Sequence, residues 1–187
     1  MLKETYILNA GMGTSLPNYF VITGKIAKSM REELLSKLVS YPENTCFYID
    51  FNNVDIIDFT GANELVSILQ SRLKGGEAGN RYICLINLKE QHQLNIEQSL
   101  IYRNLAIVYK DKNDDSKILG SLNSYLSKTF YYIVGKKTTY AKEMSRDMEI
   151  PLNTAGTRML NLFHEQLVVR EENPSENGGK QYSYITI

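Results

Sequence analysis

The first half of the chain alternates short apolar runs with segments in which apolar residues recur every three or four positions. Residues 46–51 form an almost continuous apolar run, which is typical of a strand buried on both faces of a parallel sheet. The apolar residues after Asp58 return at helical spacing until Gly75 and Gly76 interrupt them. Alternating strands and helices predict an α/β domain. The predicted strands are 5–8, 19–23, 46–51, 81–87 and 106–109, and the predicted helices are 29–42, which opens with a Ser-x-x-Glu capping box, 58–74 and 91–105.

A polar stretch separates this pattern from the rest of the chain. Residues 110–117 read Lys-Asp-Lys-Asn-Asp-Asp-Ser-Lys, and such a run solvates well and packs badly. We therefore expect an α/β domain at 1–110, a polar linker at 111–117 and an α+β domain at 118–187. In the second domain the pattern predicts helices at 118–134, 140–148 and 154–166, followed by a hairpin of strands 167–171 and 180–187.

Composition removes several classes of protein. The 187 residues include 21 Lys and Arg and 21 Asp and Glu, so the formal net charge is zero. No apolar run approaches the roughly 18 residues of a membrane span. No apolar segment follows a basic amino terminus, as a secretory signal would require. We expect a cytoplasmic protein with no membrane partner.

The chain has few residues of the types that catalyse reactions or bind metals in a recognisable pattern. Cys46 and Cys84 lie inside apolar stretches, which predicts buried, reduced thiols. His92 and His164 have no Cys or His partner at ligand spacing. The chain has no Gly-x-Ser-x-Gly turn, and its Gly-Lys pair at 24–25 is not followed by Ser or Thr as in a phosphate-binding loop. We therefore expect no catalytic residue, no metal and no cofactor.

The second domain has the predicted order of three helices followed by a β-hairpin. With Tyr-Ala-Lys-Glu-Met-Ser at 140–145, Leu-Asn-Leu at 160–162 and a Leu-Val pair at 167–168, residues 118–187 resemble the winged helix-turn-helix of transcription regulators. The resemblance implies that the third helix enters the major groove of double-stranded DNA, and that Lys180 in the wing reaches the backbone or the minor groove. Gln166 departs from the family, which usually has Gly at the end of the third helix. The third-helix residues implied as DNA contacts are Asn153, Thr154, Thr157, Arg158 and Asn161.

The small net charge of the second domain limits the kind of DNA binding that we expect from it. From residue 128 to the end, eight Lys and Arg stand against seven Asp and Glu. Neutralisation of phosphates supplies most of the nonspecific affinity for DNA. Any DNA binding should therefore depend on a few placed contacts, of which Arg158 is the strongest candidate, while His164 should be a solvated helix residue. The alternative is a module used only for packing or dimerisation.

The turn Asp58-Phe59-Thr60-Gly61 opens the predicted helix that follows the buried strand. Residues 1–110 with this turn resemble the STAS domain of anti-sigma factor antagonists and sulfate transporter tails. In that family a partner kinase commonly phosphorylates a Ser or Thr directly after the Asp, where the free N–H groups of a helix N-terminus stabilise the phosphate. Phe59 occupies that position here, so only Thr60 is a phosphorylation candidate, and its hydroxyl has an alternative role in bonding a backbone group. Asp58 is equally an ordinary N-cap. The surface predicted for a protein partner or small effector comprises Asp58, Phe59, Thr60 and Asn63.

Together these predictions describe a non-enzymatic, two-domain transcriptional regulator, with a STAS-like domain that binds a partner or effector and a winged helix that binds DNA. The helix at 118–134 would connect the domains, so that a change or a homodimer contact in the first domain alters the spacing of two winged helices on an operator. The main alternative is an anti-sigma-antagonist-type interaction switch whose winged helix dimerises or holds a partner. An enzyme would need a pocket in which Asp50, Asp55 and Asp58 meet a base or a metal.

Overall fold

A computed structural model describes residues 1–8, 21–174 and 179–187 of the chain. The chain is a mixed α/β protein whose central sheet is mostly parallel. It forms two compact units, Met1–Ser121 and Leu122–Ile187. Residues 19 and 20 of the predicted strand 19–23, and residues 175–178 of the predicted hairpin turn, lie outside the described residues.

The first unit is built on a five-stranded sheet in the order β1-β3-β5-β6-β7, in which β1, β3, β5 and β6 are parallel and β7 is antiparallel to β6. Strands β2 and β4 form a separate parallel pair. The elements in chain order are β1 (Leu2–Ile7), β2 (Val21–Ile22), α1 (Gly24–Ser40), β3 (Thr45–Asp50), β4 (Ile56–Ile57), α2 (Phe59–Ala62), a π-helical turn (Asn63–Ser67), α3 (Ile68–Lys74), β5 (Tyr82–Ile86), α4 (Glu90–Tyr102), β6 (Ala106–Lys110) and β7 (Ser116–Gly120).

The core of the first unit takes alternate residues from the strands. Phe47 and Ile49 of β3, with Ile83 and Leu85 of β5, pack against apolar side chains of α1, α3 and α4 in one buried cluster. Strand β3 pairs in parallel with both β1 and β5, which confirms the strand predicted from its continuous apolar sequence. Both cysteines are buried, and this burial raises the pKa of each thiol, that of Cys84 to about 12.

Two sequence predictions for the first unit are wrong at element boundaries. Helix α1 begins at Gly24 instead of Ser29, because the Ala27 N–H already donates to the Thr23 carbonyl at 2.8 Å. The expected linker at 111–117 is instead the turn and the first part of β7. The Asp111 carboxylate closes that turn by accepting from the Asn113 N–H at 2.8 Å and from the Lys117 ammonium at 2.5 Å. These bonds of Asp111 stabilise the turn, so the polar run is part of the folded first unit and does not form a linker.

The predicted helix at 118–134 is also wrong in its first part. Residues 116–120 pair with β6, and the two units divide between Ser121 and Leu122. A helix begins only at Ser124, where the Asn123 side chain caps it by accepting from the Leu126 N–H at 3.0 Å. Leu119 and Leu126 are seven residues apart and both buried, a spacing that predicts one apolar helix face. Leu119 belongs to a strand and Leu126 to a helix, so the spacing does not mark a single helix.

The second unit contains three helices and a three-stranded antiparallel sheet in the order β8-β10-β9. Buried Phe130, Met144, Met159 and Leu162 join the three helices, and Val168 of the sheet is also buried. The three-residue strand β8 is absent from the sequence prediction, because three residues are too few for a periodic signal. The elements are α5 (Ser124–Lys136), β8 (Thr138–Tyr140), α6 (Ala141–Asp147), α7 (Leu152–His164), β9 (Val168–Pro174) and β10 (Lys180–Thr186).

Candidate functional site

Helix α7 presents a polar face that its own packing determines. Ala155, Met159 and Leu162 recur at helical spacing and are buried in the second unit, so the residues between them point away from the core. Asn153 and Thr157 are exposed on that outer side. The helix therefore holds short polar side chains on a rigid element.

The five third-helix residues predicted from the sequence line one surface pocket of about 320 Å³, together with Tyr125 of α5. The Thr157 hydroxyl donates to the Asn153 carbonyl at 2.8 Å, and the Asn153 side-chain oxygen accepts from the Thr154 N–H at 2.9 Å. Sequence reasoning missed Tyr125, because no spacing rule relates a residue at the start of α5 to a helix almost thirty residues later. The five predicted residues of the pocket are Asn153, Thr154, Thr157, Arg158 and Asn161.

Arg158 is the cation of this pocket. Its guanidinium carbon lies 5.5 Å from the ring centre of Tyr125, within the range of a cation–π contact. Among the described residues, no carboxylate lies within ion-pair distance of Arg158. Its planar donors are therefore available to a carboxylate, a phosphate or the edge of a base.

Lys180, the sixth predicted DNA contact, does not line this pocket. It lies in β10, where its ammonium pairs with Glu172 of β9 at 2.9 Å. The pair lowers the pKa of Glu172 and raises that of Lys180, chiefly through the side-chain hydrogen bond between them. Lys180 is thus engaged in an exposed ion pair within the hairpin. His164 is exposed at the end of α7, as the sequence predicts.

The second candidate surface lies at the start of α2. Asp58 is the N-cap of this helix, and its carboxylate oxygen Oδ1 accepts from the Gly61 N–H at 2.5 Å. Phe59 is 42% exposed, whereas Phe47 and Phe51, the other described phenylalanines of this unit, are buried. Thr60 is exposed, and its hydroxyl makes no hydrogen bond with any described residue. Asp58 therefore has the predicted role of N-cap, whereas the Thr60 hydroxyl bonds no backbone group of the described residues.

The end of α4 completes this second surface. Tyr102 is 77% exposed, and its ring meets that of Phe59 edge-on with 6.3 Å between centroids. The Asn63 side-chain oxygen accepts from the Arg103 guanidinium at 2.6 Å. The pairing brings together residues about 40 positions apart, so the local sequence contained no signal for Tyr102 or Arg103. We call Phe59, Asn63, Tyr102 and Arg103 the α2–α4 surface.

A π-helical turn at Asn63–Ser67 follows α2 and begins with Asn63 of the α2–α4 surface. The buried Arg31 of α1 donates to the Glu64 carbonyl at 3.0 Å and pairs with the Glu64 carboxylate at 2.5 Å. The Ser67 hydroxyl bonds the Ser99 hydroxyl of α4 at 2.7 Å. Turns of this kind occur often at functional sites, because the extra residue changes which side chains face outward.

The three acids considered for an enzyme are engaged separately. Asp50 accepts from the Asn52 N–H at 2.8 Å and from the Asn87 side chain at 2.7 Å. Asp55 lies 3.5 Å from the Lys89 ammonium, and Asp58 caps α2. Within the described part of the chain, no three His, Cys, Asp or Glu side chains form a group that would hold a metal.

Comparison with known proteins adds no family assignment. No protein-family model matches the chain, and no curated protein matches it at a significant level. Among the described residues, no helix has both the length and the apolar character needed to cross a membrane.

Proposed function

We propose that the protein is a transcriptional regulator whose second unit is a winged helix that binds duplex DNA through α7. The observation that carries this proposal is the convergence of the five polar side chains of α7 on one outer pocket, among them Arg158, which has no ion-pair partner within the described residues. The element order of helix, strand, helix, helix and hairpin supports it, because that is the order of a winged helix-turn-helix.

In this proposal each polar residue of α7 makes the kind of DNA contact that its side chain allows. Arg158 donates to a guanine edge or a phosphate, and the amides of Asn153 and Asn161 both donate to and accept from base edges. Thr154 lies in the first turn of the helix, where hydroxyl and backbone N–H groups suit phosphate oxygens, whereas Thr157, in the second turn, contacts base edges. A phosphate would have to compete with the Glu172 carboxylate for Lys180, because the two side chains form an exposed ion pair. No catalytic step is part of this function.

The salt dependence of DNA binding tests the proposal. The second unit has a net charge of only about one, so we expect a shallow dependence of affinity on salt, and Arg158→Gln should reduce its slope by about one phosphate contact. Lys136→Gln is the matched control, because it removes one charge near the other end of α5 from Tyr125. The proposal fails if duplex DNA is not retained at low salt, or if both variants bind as the wild type does.

For the first unit we propose a STAS-like domain that binds a protein partner through the α2–α4 surface. The exposed edge-on pair of Phe59 and Tyr102, ringed by polar Asn63 and Arg103, is the kind of aromatic anchor that protein interfaces use. A second copy of the chain is one such partner, and a homodimer would suit a two-fold operator.

A photo-crosslinking amino acid at position 59 of the full chain tests the proposed interface. We expect a discrete crosslinked product in cells from position 59 and none from position 39, where Val39 is exposed to a similar degree on α1. Identical products from both positions would contradict an interface on the α2–α4 surface.

A pure interaction switch is the second candidate function. The Lys180–Glu172 pair and the balanced charge of the second unit favour it, because both weaken attraction to a polyanion. In that case the second unit would hold a protein partner or a second copy. Retention of duplex DNA with an Arg158-dependent salt slope would contradict it.

A further inference from the structure

The second unit contains another cleft, which none of the residues assigned above occupies. It has a volume of about 380 Å³ and lies among the start of α6, the other flank of α7, and the hairpin strands β9 and β10. Its walls include Leu152, Gly156 and Leu160 of α7, with Tyr140, Tyr182 and Tyr184 on the sheet side. Clefts of this volume with largely apolar walls and a few polar groups are typical of small-ligand sites.

Arg170 of β9 is held rigidly in this cleft. Its guanidinium carbon lies 3.5 Å from the ring centre of Tyr182 and 5.8 Å from that of Phe163. Stacking on aromatic faces fixes the plane of the guanidinium without using its N–H donors. An arginine held in this way is ready to receive a planar anion.

The charge of Arg170 acts only weakly on a carboxylate in the described chain: the pKa of Glu172 is lowered first by Lys180 and last by Arg170. Among the described residues, no carboxylate lies within ion-pair distance of its guanidinium, and its buried Nε has no hydrogen-bond acceptor. A buried donor without an acceptor costs free energy, so a ligand that supplies one is favoured. Lys142 of α6, on the rim of the cleft, is exposed and also makes no ion pair within the described ranges.

We propose that this cleft binds a small amphipathic carboxylate, with its carboxylate on Arg170 and Lys142 and its flat apolar body between Leu160 and the tyrosines. The planar fork of an arginine matches the two oxygens of a carboxylate. The aliphatic and aromatic walls require an apolar body, which inorganic phosphate and a DNA backbone lack. The second unit would therefore receive a chemical signal itself.

The position of the cleft suggests how the ligand regulates DNA binding, a step that rests on the proposed function of α7. Leu152, Gly156 and Leu160 each precede, by one residue, a polar residue of the outer face of α7. A bound carboxylate places negative charge beside that face, so it weakens DNA binding, and DNA weakens ligand binding by the same factor. The three polar neighbours are Asn153, Thr157 and Asn161.

Binding of 2-naphthoate to the full chain tests the site, with the neutral 2-naphthamide as the matched probe. We expect saturable binding of the naphthoate, amide NMR shifts centred on Tyr140, Leu160 and Arg170, and binding of the naphthamide at least tenfold weaker. Arg170→Gln should weaken naphthoate binding at least tenfold. Lys142→Gln, an exposed change that keeps the fold, should weaken it at least threefold, and Lys136→Gln should not change it.

Several results would overturn the proposal. Equal binding of the naphthoate and the naphthamide would remove the role of the cations, and so would unchanged binding by Lys142→Gln. Displacement of the naphthoate by an equal concentration of inorganic phosphate would indicate a plain anion site. NMR shifts centred on another surface would place the ligand elsewhere.

A separate measurement addresses regulation. Saturating 2-naphthoate should lower the affinity of the full chain for duplex DNA at least threefold at low salt, and unchanged affinity would contradict the coupling. If the duplex is not retained even without naphthoate, the proposed function of α7 fails, whereas the naphthoate titration still decides the cleft.

Discussion

At the end of α7 the chain reverses through Gln166, which has a φ of +61°. Its N–H donates to the Phe163 carbonyl at 2.9 Å, so the residue closes the helix in the left-handed conformation that glycine adopts most easily. Gln166 therefore stands in place of the usual glycine, but the turn has the left-handed conformation that a glycine would adopt there. The buried side-chain oxygen of Gln166 has no hydrogen-bond partner among the described residues.

Gln166→Gly should therefore stabilise the second unit by about 0.5–1 kcal/mol, because it relieves the left-handed strain and removes an unsatisfied buried oxygen. Thr157→Gly, in the exposed interior of the same helix, should lower stability by about 0.3 kcal/mol, the difference between the helix propensities of threonine and glycine. Urea denaturation of the two variants gives both free energies of unfolding. The account of this turn is wrong if the two substitutions shift stability in the same direction.

His92 of α4 is fully buried in the first unit. Its Nδ1 accepts from the Lys89 N–H at 3.3 Å, so Nε2 carries the proton and donates to the Asp55 carbonyl at 3.1 Å. Burial lowers the pKa of His92 below its usual 6.5. The folded state therefore prefers neutral imidazole, and its stabilising contribution is present above pH 6.5 and is lost as the pH falls below that value.

The first unit should lose stability between pH 7 and pH 5.5, as measured by exchange of the slowest amides of β3 and β5. His92→Gln should flatten this decline, since no buried imidazole remains to be protonated. His164→Gln is the matched control, because His164 is exposed, and it should keep the wild-type pH dependence. A His92→Gln protein with an unchanged decline would contradict this assignment.

At the scale of elements, α2 starts in very close contact with β2. The ideal Cβ position of Gly61 overlaps the Ile22 carbonyl oxygen, and it lies 3.2 Å from the capping oxygen of Asp58. Glycine is therefore required at this point by packing, and the Asp-x-Thr-Gly pattern reflects a close approach between elements as much as a functional signal.

Gly61→Ala should destabilise the first unit by about 2 kcal/mol or more, because the added methyl must displace backbone and disturb the cap. Gly75→Ala, at the other end of the same helical segment, meets carbonyl oxygens only at 3.4 Å and should change stability by less than about 0.5 kcal/mol. Thermal denaturation of the two variants compares them directly. Equal losses would show that the α2–β2 contact is looser than described.

The elements that sequence reasoning predicted well are those with a strong period or continuous burial. The strand at 45–50, the helical segment after Asp58 and helices α6 and α7 of the second unit all lie close to their predicted positions. The sequence predictions fail where pairing with another strand determines the secondary structure. Residues 116–120 become a strand because β6 offers them a partner edge, and no local pattern contains that information.

At the scale of the whole molecule, the division into units lies between Ser121 and Leu122, after β7. Leu119 of β7 is 5% exposed and belongs to the core cluster of the first unit. A fragment of residues 1–121 should therefore unfold cooperatively, whereas a fragment of residues 1–115 should be less stable by about 2 kcal/mol or more, since it loses that side chain and leaves β6 unpaired. Denaturation midpoints test this, and identical midpoints would contradict the boundary.

In the candidate sites too, residues close together in sequence could be predicted, and residues brought together only by the fold could not. All five α7 residues were predictable, because they follow one another on one helix at known spacing. Tyr125, Tyr102 and the cleft around Arg170 were not, since each depends on elements that are distant in sequence.

The central claim, that α7 reads DNA, is tested most directly by selecting bound sequences from random duplexes with the full chain. We predict an enriched sequence, which is lost when Asn153, Thr157 and Asn161 are all replaced by alanine, because these exposed or half-buried side chains supply the contacts to base edges. No enrichment above the starting pool, or the same enriched sequence from the triple variant, would contradict the claim.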